Sequence, residues 1–214
     1  MIKYIYADAL DAFPTLQQGM FKDRATQFKE RLNWDVTVNC DGFETDSYDA
    51  MNPLYVIYEL ADGTHGGSMR ILPTTGETMV NDHFTHLTDG VAVSSPLIWE
   101  CTRFVVSPNA GDEAKQVAAA LMLAGVELGI QFGLDSSIGV FDARMVHIYR
   151  RVGWAPEILG TSGEGKSAVS AGLWPIDYDA KMDICNKTGF DPALPEKWFN
   201  DSFPVTVNDG VMVA

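Results

Sequence analysis

The chain opens on Met1-Ile2-Lys3-Tyr4-Ile5-Tyr6-Ala7-Asp8, a strand pattern that runs into acidic residues and does not read as a signal peptide. From Leu16 to Leu32 the apolar residues fall at helical spacing, with Phe21, Ala25, Phe28 and Leu32 on one stripe. Asn33-Trp34-Asp35 ends that helix, and a loop with the acidic run Glu44-Thr45-Asp46-Ser47-Tyr48-Asp49 follows. Pro53 to Leu60 and Gly66 to Leu72 read as two strands joined through Asp62-Gly63, a hairpin signal. Glu77 to Phe84 reads as a short helix, Leu97 to Val106 as a central strand, and Ala114 to Phe132 as the longest helix, opened by Ser107 to Glu113. Ser136 to Phe141 then reads as a strand, and Asp142 as the cap of a helix that runs to Arg151 and stops at Gly153-Trp154. Ser167 to Ile176 reads as a late strand and Tyr178 to Thr188 as a closing helix. This order predicts a three-layer α/β sandwich, a mixed sheet with helices on both faces.

Charges break the strand patterns in two places. Trp99-Glu100-Cys101-Thr102-Arg103-Phe104 sets an acid and a base in a central strand, and Arg70 sits inside Ser68-Met69-Arg70-Ile71-Leu72. A strand covered on both faces should be nearly all apolar, and an unpaired charge there is severely destabilising. Glu100, Arg103 and Arg70 therefore need each other, further charges or a polar substrate as partners, and Asp46 and Asp49 lie close before a strand. Side chains alternate along a strand, so Glu100 and Thr102 share a face while Arg103 points away. A bulge would bring Arg103 round; without one it is a structural ion-pair partner.

At 214 residues and 46% hydrophobic, the chain is expected to form one domain, 1–214. Val117 to Leu134 is long enough to raise the membrane question, but Glu127 and Gln131 within it favour a core helix over a span. The net charge of −14 argues against nucleic acid and anionic membranes as partners. Cys40, Cys101 and Cys185 show no paired spacing, which fits reduced thiols and a cytoplasmic location. His83 and His86 are the one close histidine pair, without a third ligand nearby, so no metal is expected.

Taken together, Arg24, Phe28 and Trp34, the Asp46-Ser-Tyr-Asp49 loop, Arg70 in Met-Arg-Ile-Leu-Pro-Thr-Thr-Gly, Phe84, and Trp-Glu100-Cys-Thr-Arg103-Phe resemble the acyl-homoserine-lactone synthases, the LuxI-type autoinducer synthases. The resemblance implies a splayed sheet like that of the GNAT N-acyltransferases. It also implies a reaction joining S-adenosylmethionine to an acyl thioester, both as substrates and without a cofactor. On that basis Arg24, Phe28, Trp34, Asp46, Asp49 and Phe84 would bind S-adenosylmethionine, Arg24 either as a fork for its carboxylate or as a brace for the acidic loop. Glu100 would accept the proton of the attacking amine, with Arg103 and Arg70 beside it. Thr102, Met79, Leu121, Met122, Phe141 and Val146 would line the acyl pocket, Thr102 near the acyl carbonyl, although each of the apolar ones is more often plain core.

Where relatives that prefer a 3-oxo chain carry a threonine, near Ile138 to Phe141, this chain has none, which leans towards an unsubstituted chain. Arg144, Arg150, Arg151 and Lys166 would dock an acidic acyl carrier protein, the donor favoured over coenzyme A because a glycine-rich pyrophosphate loop is missing before Gln116-Val117-Ala118. Two rivals make other predictions. An N-acyltransferase using acyl-coenzyme A on another amine would release no methylthioadenosine, and a silent module would bind S-adenosylmethionine or an acyl chain without turnover.

Overall fold

The computed structural model describes residues 1–204, apart from the Lys166 side chain. Its strands are β1 (Ile2–Tyr6), β2 (Leu54–Glu59), β3 (His65–Pro73), β4 (Ile98–Val106), β5 (Ser136–Asp142), β6 (Glu157–Ser162) and β7 (Val169–Pro175). Its helices are α1 (Pro14–Arg24), α2 (Met79–His83), α3 (Ala114–Phe132), α4 (Met145–Val152), α5 (Tyr178–Thr188) and α6 (Leu194–Ser202). The strands make one sheet in the order β1-β2-β3-β4-β5-β7-β6, antiparallel throughout except for the parallel pair β4–β5.

Alternation along the strands sorts the two faces. Ile2, Tyr4, Leu54, Val56, Met69 and Ile71 point into the core beneath α3, which also packs against α5 and α6. Ile5, Tyr55 and Ile57 point the other way, onto Leu16 and Met20 of α1. α3 is apolar on nearly every side because it is buried, and its Glu127 meets Lys181 of α5 at 2.7 Å. No described helix is long and apolar enough to cross a membrane.

The sheet opens at its only parallel pairing. β4 and β5 pair only through Ile98–Ser136, Trp99–Ser137 and Glu100–Ile138, and both strands continue beyond that point without each other. A slot between the two faces begins just after Glu100. Gly139 stands at its start, where a Cβ would lie 3.0 Å from the carbonyl oxygen of Cys101.

The hairpin between β2 and β3 turns at Gly63, whose φ of 83° is in the left-handed region that glycine tolerates. Three elements depart from the sequence pattern. The helix expected over Leu16 to Leu32 is α1 followed by a π-helical stretch, Ala25–Arg31. An inserted residue of this kind leaves the spacing of apolar residues close enough to 3.6 to pass for an ordinary helix. Strand β6 and helix α6 were not expected. β6 is an edge strand that is largely exposed, so it has no buried face to produce alternation. Asp142 accepts a hydrogen bond from the Arg144 amide at 2.9 Å, so it caps the turn that leads into α4 rather than the helix itself.

Candidate active site

The β3–β4 pairing builds the charged face. Arg70 stands opposite Thr102 and Leu72 opposite Glu100, so all four share the face towards α1. Regular alternation would turn Arg103 to the opposite face. Instead the register slips between Ser68 and Arg70, leaving two β4 residues, Arg103 and Phe104, against Met69 alone. Arg103 takes φ 53°, a left-handed conformation that costs a non-glycine residue about 1–2 kcal/mol. This bulge returns the guanidinium to the charged face.

There three arginines meet three carboxylates. Arg24 donates from Nε to Glu44 at 2.6 Å and from both terminal nitrogens to Asp49 at 2.9 Å. Arg70 donates to both oxygens of Asp46, to Asp49 at 2.8 Å and to the Thr102 hydroxyl at 3.0 Å. Arg103 donates to Glu44 at 2.9 Å and approaches Asp46 at 2.8 Å. Arg24 is thus a brace for the acidic loop, its fork closed on Glu44 and Asp49. Breaking such a buried pair by removing one partner costs about 3–5 kcal/mol.

Local chemistry shapes the acidic loop before the arginines reach it. The Asp46 side chain accepts from the Tyr48 amide and Asp49 returns a bond to the Asp46 amide at 2.9 Å, a reciprocal cap on the turn Ser47–Ala50. The Tyr55 hydroxyl adds a 2.7 Å bond to Asp49. Burial alone would raise the Asp49 carboxyl, but the bonds and charges of Arg24 and Arg70 hold it well below the usual carboxylate range.

Glu100 is left outside this neutralised network. It is buried, and its two oxygens accept from the Met79 amide at 3.0 Å and the Val80 amide at 2.6 Å, at the start of α2. Burial pushes its pKa up to about 7, against the opposing pull of those amides and of Arg70. A carboxyl poised there can exchange a proton at neutral pH. Cys101 beside it is pushed up to about 12 by burial, so it is no thiolate nucleophile.

A cleft of about 1330 Å³ opens over this face. Phe28, Trp34, Asp46, Met79, Phe84, Glu100, Thr102 and Arg103 line it, whereas Arg24, Asp49 and Arg70 lie beneath and hold the lining in place. Trp34 stacks on Phe28 with ring centroids 5.1 Å apart and an 8° tilt, and stays 39% exposed. The Arg103 guanidinium covers Phe28 at 5.5 Å.

On the far side of the slot lies an apolar chamber of about 60 Å³, room for roughly five groups of water size. Cys101, Phe104 and Val140 line both spaces, so the chamber and cleft meet through the slot.

The residues expected to form an acyl pocket divide accordingly. Met122 lines the chamber and Phe141 the cleft near the slot. Thr102 and Met79 belong to the charged face, where the Met79 sulfur receives Arg70 and Arg103. Leu121 and Val146 line neither space; Leu121 packs against β3 at Gly67, and Val146 is packed against the main core. Of the basic residues, Arg144 and Arg151 reach the cleft rim and Arg150 is exposed on α4, while the Lys166 side chain lies outside the described residues.

Glu44 was overlooked at the sequence level because it opens an acidic run that reads as solvated loop. No sequence signal sets it apart, since Glu100 already supplies a third carboxylate for Arg24, Arg70 and Arg103, and only the fold shows Glu44 buried between Arg24 and Arg103.

Comparison with known proteins agrees with this geometry. A family model described as "Autoinducer synthase" matches residues 12–184. The chain is 39% identical over 183 residues to an acyl-homoserine-lactone synthase of Rhizobium etli, covering 84% of this chain and 86% of that one. It is 30% identical to another from Agrobacterium fabrum, over 83% and 87% of the two chains. Among solved structures it resembles BjaI, a CoA-dependent acyl-homoserine lactone synthase solved with SAM and isopentyl-CoA, at TM-score 0.77 and 26% identity over 89% and 90%. An N-acetyltransferase from Lactobacillus plantarum, at TM-score 0.54 and 13% identity over 82% and 99%, shares the fold alone. With sequence, fold and charged cleft in agreement, the chain belongs to the autoinducer synthases and is an enzyme of the acyl-homoserine-lactone synthase family.

Proposed function

We propose that this enzyme transfers an acyl group from a thioester to the amine of S-adenosylmethionine and closes the product to an N-acyl-homoserine lactone, a quorum-sensing signal. The observation that carries this reading is the slot, which joins a charged cleft containing Glu100 to an apolar chamber. One substrate is a polar cation and the other a hydrocarbon chain, and their reacting ends must meet.

S-adenosylmethionine lies in the cleft, with Asp46 facing its cationic end, the Trp34–Phe28 stack and Phe84 offering aromatic faces to adenine or the sulfonium, and Arg103 beside its carboxylate. Arg24, Arg70 and Asp49 hold those groups in position from below. The ammonium loses one proton to Glu100, directly or through a water, and its nitrogen attacks the thioester carbonyl. N–H groups of β4 beyond the point where β5 leaves it stabilise the oxyanion. The C–S bond breaks, the second proton of the nitrogen passes to the leaving thiolate, and an amide remains. The carboxylate of the same molecule then attacks the γ-carbon of its own methionine side chain, and the bond from that carbon to the sulfonium sulfur breaks. The lactone closes and methylthioadenosine leaves as a neutral thioether. Both groups sit in one molecule, so the cleft has only to fold it.

Acyl carrier protein is the favoured donor. Asp112 and Glu113 stand at the N-terminus of α3, where they oppose a pyrophosphate, and Arg144, Arg150 and Arg151 offer positive charge to an acidic partner. The coenzyme A dependence of BjaI supports coenzyme A as the second reading. The test is to incubate the enzyme with S-adenosylmethionine and matched acyl-carrier and acyl-coenzyme A thioesters and analyse products by mass spectrometry. Lactone from the carrier-bound donor at lower concentration supports the first reading. A preference for coenzyme A overturns the choice of donor, and no lactone with either overturns the reaction.

A further inference from the structure

Among the described residues, one hydroxyl on the chamber lining, that of Tyr149, has no protein partner. Trp154 donates its indole N–H to the Pro175 carbonyl at 2.8 Å and Trp174 to the Trp154 carbonyl at 3.2 Å. The Ser137 hydroxyl donates to the Trp99 carbonyl at 3.2 Å, and the Cys101 thiol lies 3.5 Å from the Met69 sulfur. Trp99 is only half-buried and runs out to the exposed Phe132. Tyr149 is 8% exposed, lines the chamber, and has no hydrogen-bond partner for its hydroxyl among the described residues. Phe141 and Trp174 hold its ring edge-on at 5.2 and 5.0 Å, so the side chain cannot swing out to solvent without breaking that packing.

A hydroxyl without a protein partner on an apolar wall is open to a polar group of a bound molecule, and phenylalanine would fill the same space without offering that bond. We propose that the Tyr149 hydroxyl is a specificity group that donates a hydrogen bond to an oxygen substituent on the acyl chain, so that the enzyme prefers an oxygenated chain to a plain hydrocarbon one. The proposal rests on the reading that the chamber receives the acyl chain, and it reverses the lean towards an unsubstituted chain drawn from the missing threonine near Phe141. Asp142, which borders the cleft, acts on the hydroxyl through its charge, so the oxygen that the hydroxyl meets belongs to the part of the chain near the thioester. Burial raises its pKa, which keeps it a donor across the working range. A 3-oxo and a 3-hydroxy group offer it the same acceptor.

The test compares octanoyl, 3-oxooctanoyl and 3-hydroxyoctanoyl thioesters on wild type and on Tyr149→Phe. Lactone formation is read by mass spectrometry, and binding of the pantetheine thioesters by quenching of the chamber tryptophans. Wild type is expected to favour one or both oxygenated chains by about tenfold in kcat/KM, the worth of one hydrogen bond. In Tyr149→Phe that ratio falls to near one while the melting temperature holds or rises, and Tyr149→Leu loses the ratio as well. The two oxygenated substrates show which oxidation state is selected. Equal use of all three chains by wild type, or a preference that survives in Tyr149→Phe, overturns the proposal. If no thioester yields lactone, the synthase reading fails on its own, and the binding ratio still decides the role of Tyr149.

Discussion

Glu100 is held between burial, which raises its pKa, and two backbone amides that favour its charge. Its folded value near 7 gives activity a pH signature. kcat/KM is expected to climb as pH rises, with a midpoint near 7, and to level off above it. In Glu100→Gln the rate should fall by about 10²–10⁴ and that limb should vanish, while S-adenosylmethionine still binds. A retained limb would assign the proton transfer to another group. Stability runs the other way for this residue, because a carboxyl that titrates higher when folded stabilises most in acid and loses that contribution as pH passes 7. Asp49 is opposite in sign: its contribution is complete above the ordinary carboxylate range and is lost as acid approaches its depressed folded value. Arg24→Met should lose about 3–5 kcal/mol in urea denaturation, since it removes the buried cation that Glu44 and Asp49 share and leaves three carboxylates on two arginines. A loss below 1 kcal/mol would show that the carboxylates find water or another partner.

At the level of elements, the slot depends on a strand that parts from its neighbour and a bulge that turns one arginine over. Gly139 keeps the opening wide, since a Cβ there would crowd the Cys101 carbonyl at 3.0 Å and Trp174 at 3.4 Å. Gly139→Ala is therefore expected to shift the product spectrum towards shorter chains, measured by mass spectrometry with a ladder of thioesters. An unchanged spectrum would place the acyl chain elsewhere.

Much of this was legible beforehand, because buried strands and α3 carry continuous apolar runs and the hairpin carries Asp62-Gly63. The charged strand residues announced a site because burial makes isolated charge untenable. What alternation could not supply was the conformation of Arg103, which depends on a register slip against β3, a property of two strands and not of one. The π-helical turn and the edge strand β6 escaped for related reasons, since an inserted residue and an exposed edge leave little periodicity to read, whereas helix α6 has its signal in Pro195 and the apolar Leu194, Trp198 and Phe199 on one stripe. Nothing in the sequence singles out Tyr149, and its unpartnered hydroxyl is visible only once its neighbours are in place.

For the whole molecule, the sheet divides two kinds of chemistry between its faces and joins them at one opening. The network of three arginines and three carboxylates neutralises itself, so the surplus of negative charge lies elsewhere on the molecule and opposes the long-range approach of an acidic donor. Arg144, Arg150 and Arg151 must then act locally. Reversing Arg150 and Arg151 to Glu should raise KM for a carrier-bound thioester at least several-fold and leave KM for the pantetheine thioester unchanged. Equal effects on both would remove the carrier from the account.

The central claim is that one site performs acyl transfer and ring closure on the same molecule of S-adenosylmethionine. Its most direct measurement is the stoichiometry of thiol and methylthioadenosine released in one reaction. The account predicts one of each per lactone formed, with both lost together in Glu100→Gln. Thiol release without methylthioadenosine would contradict it.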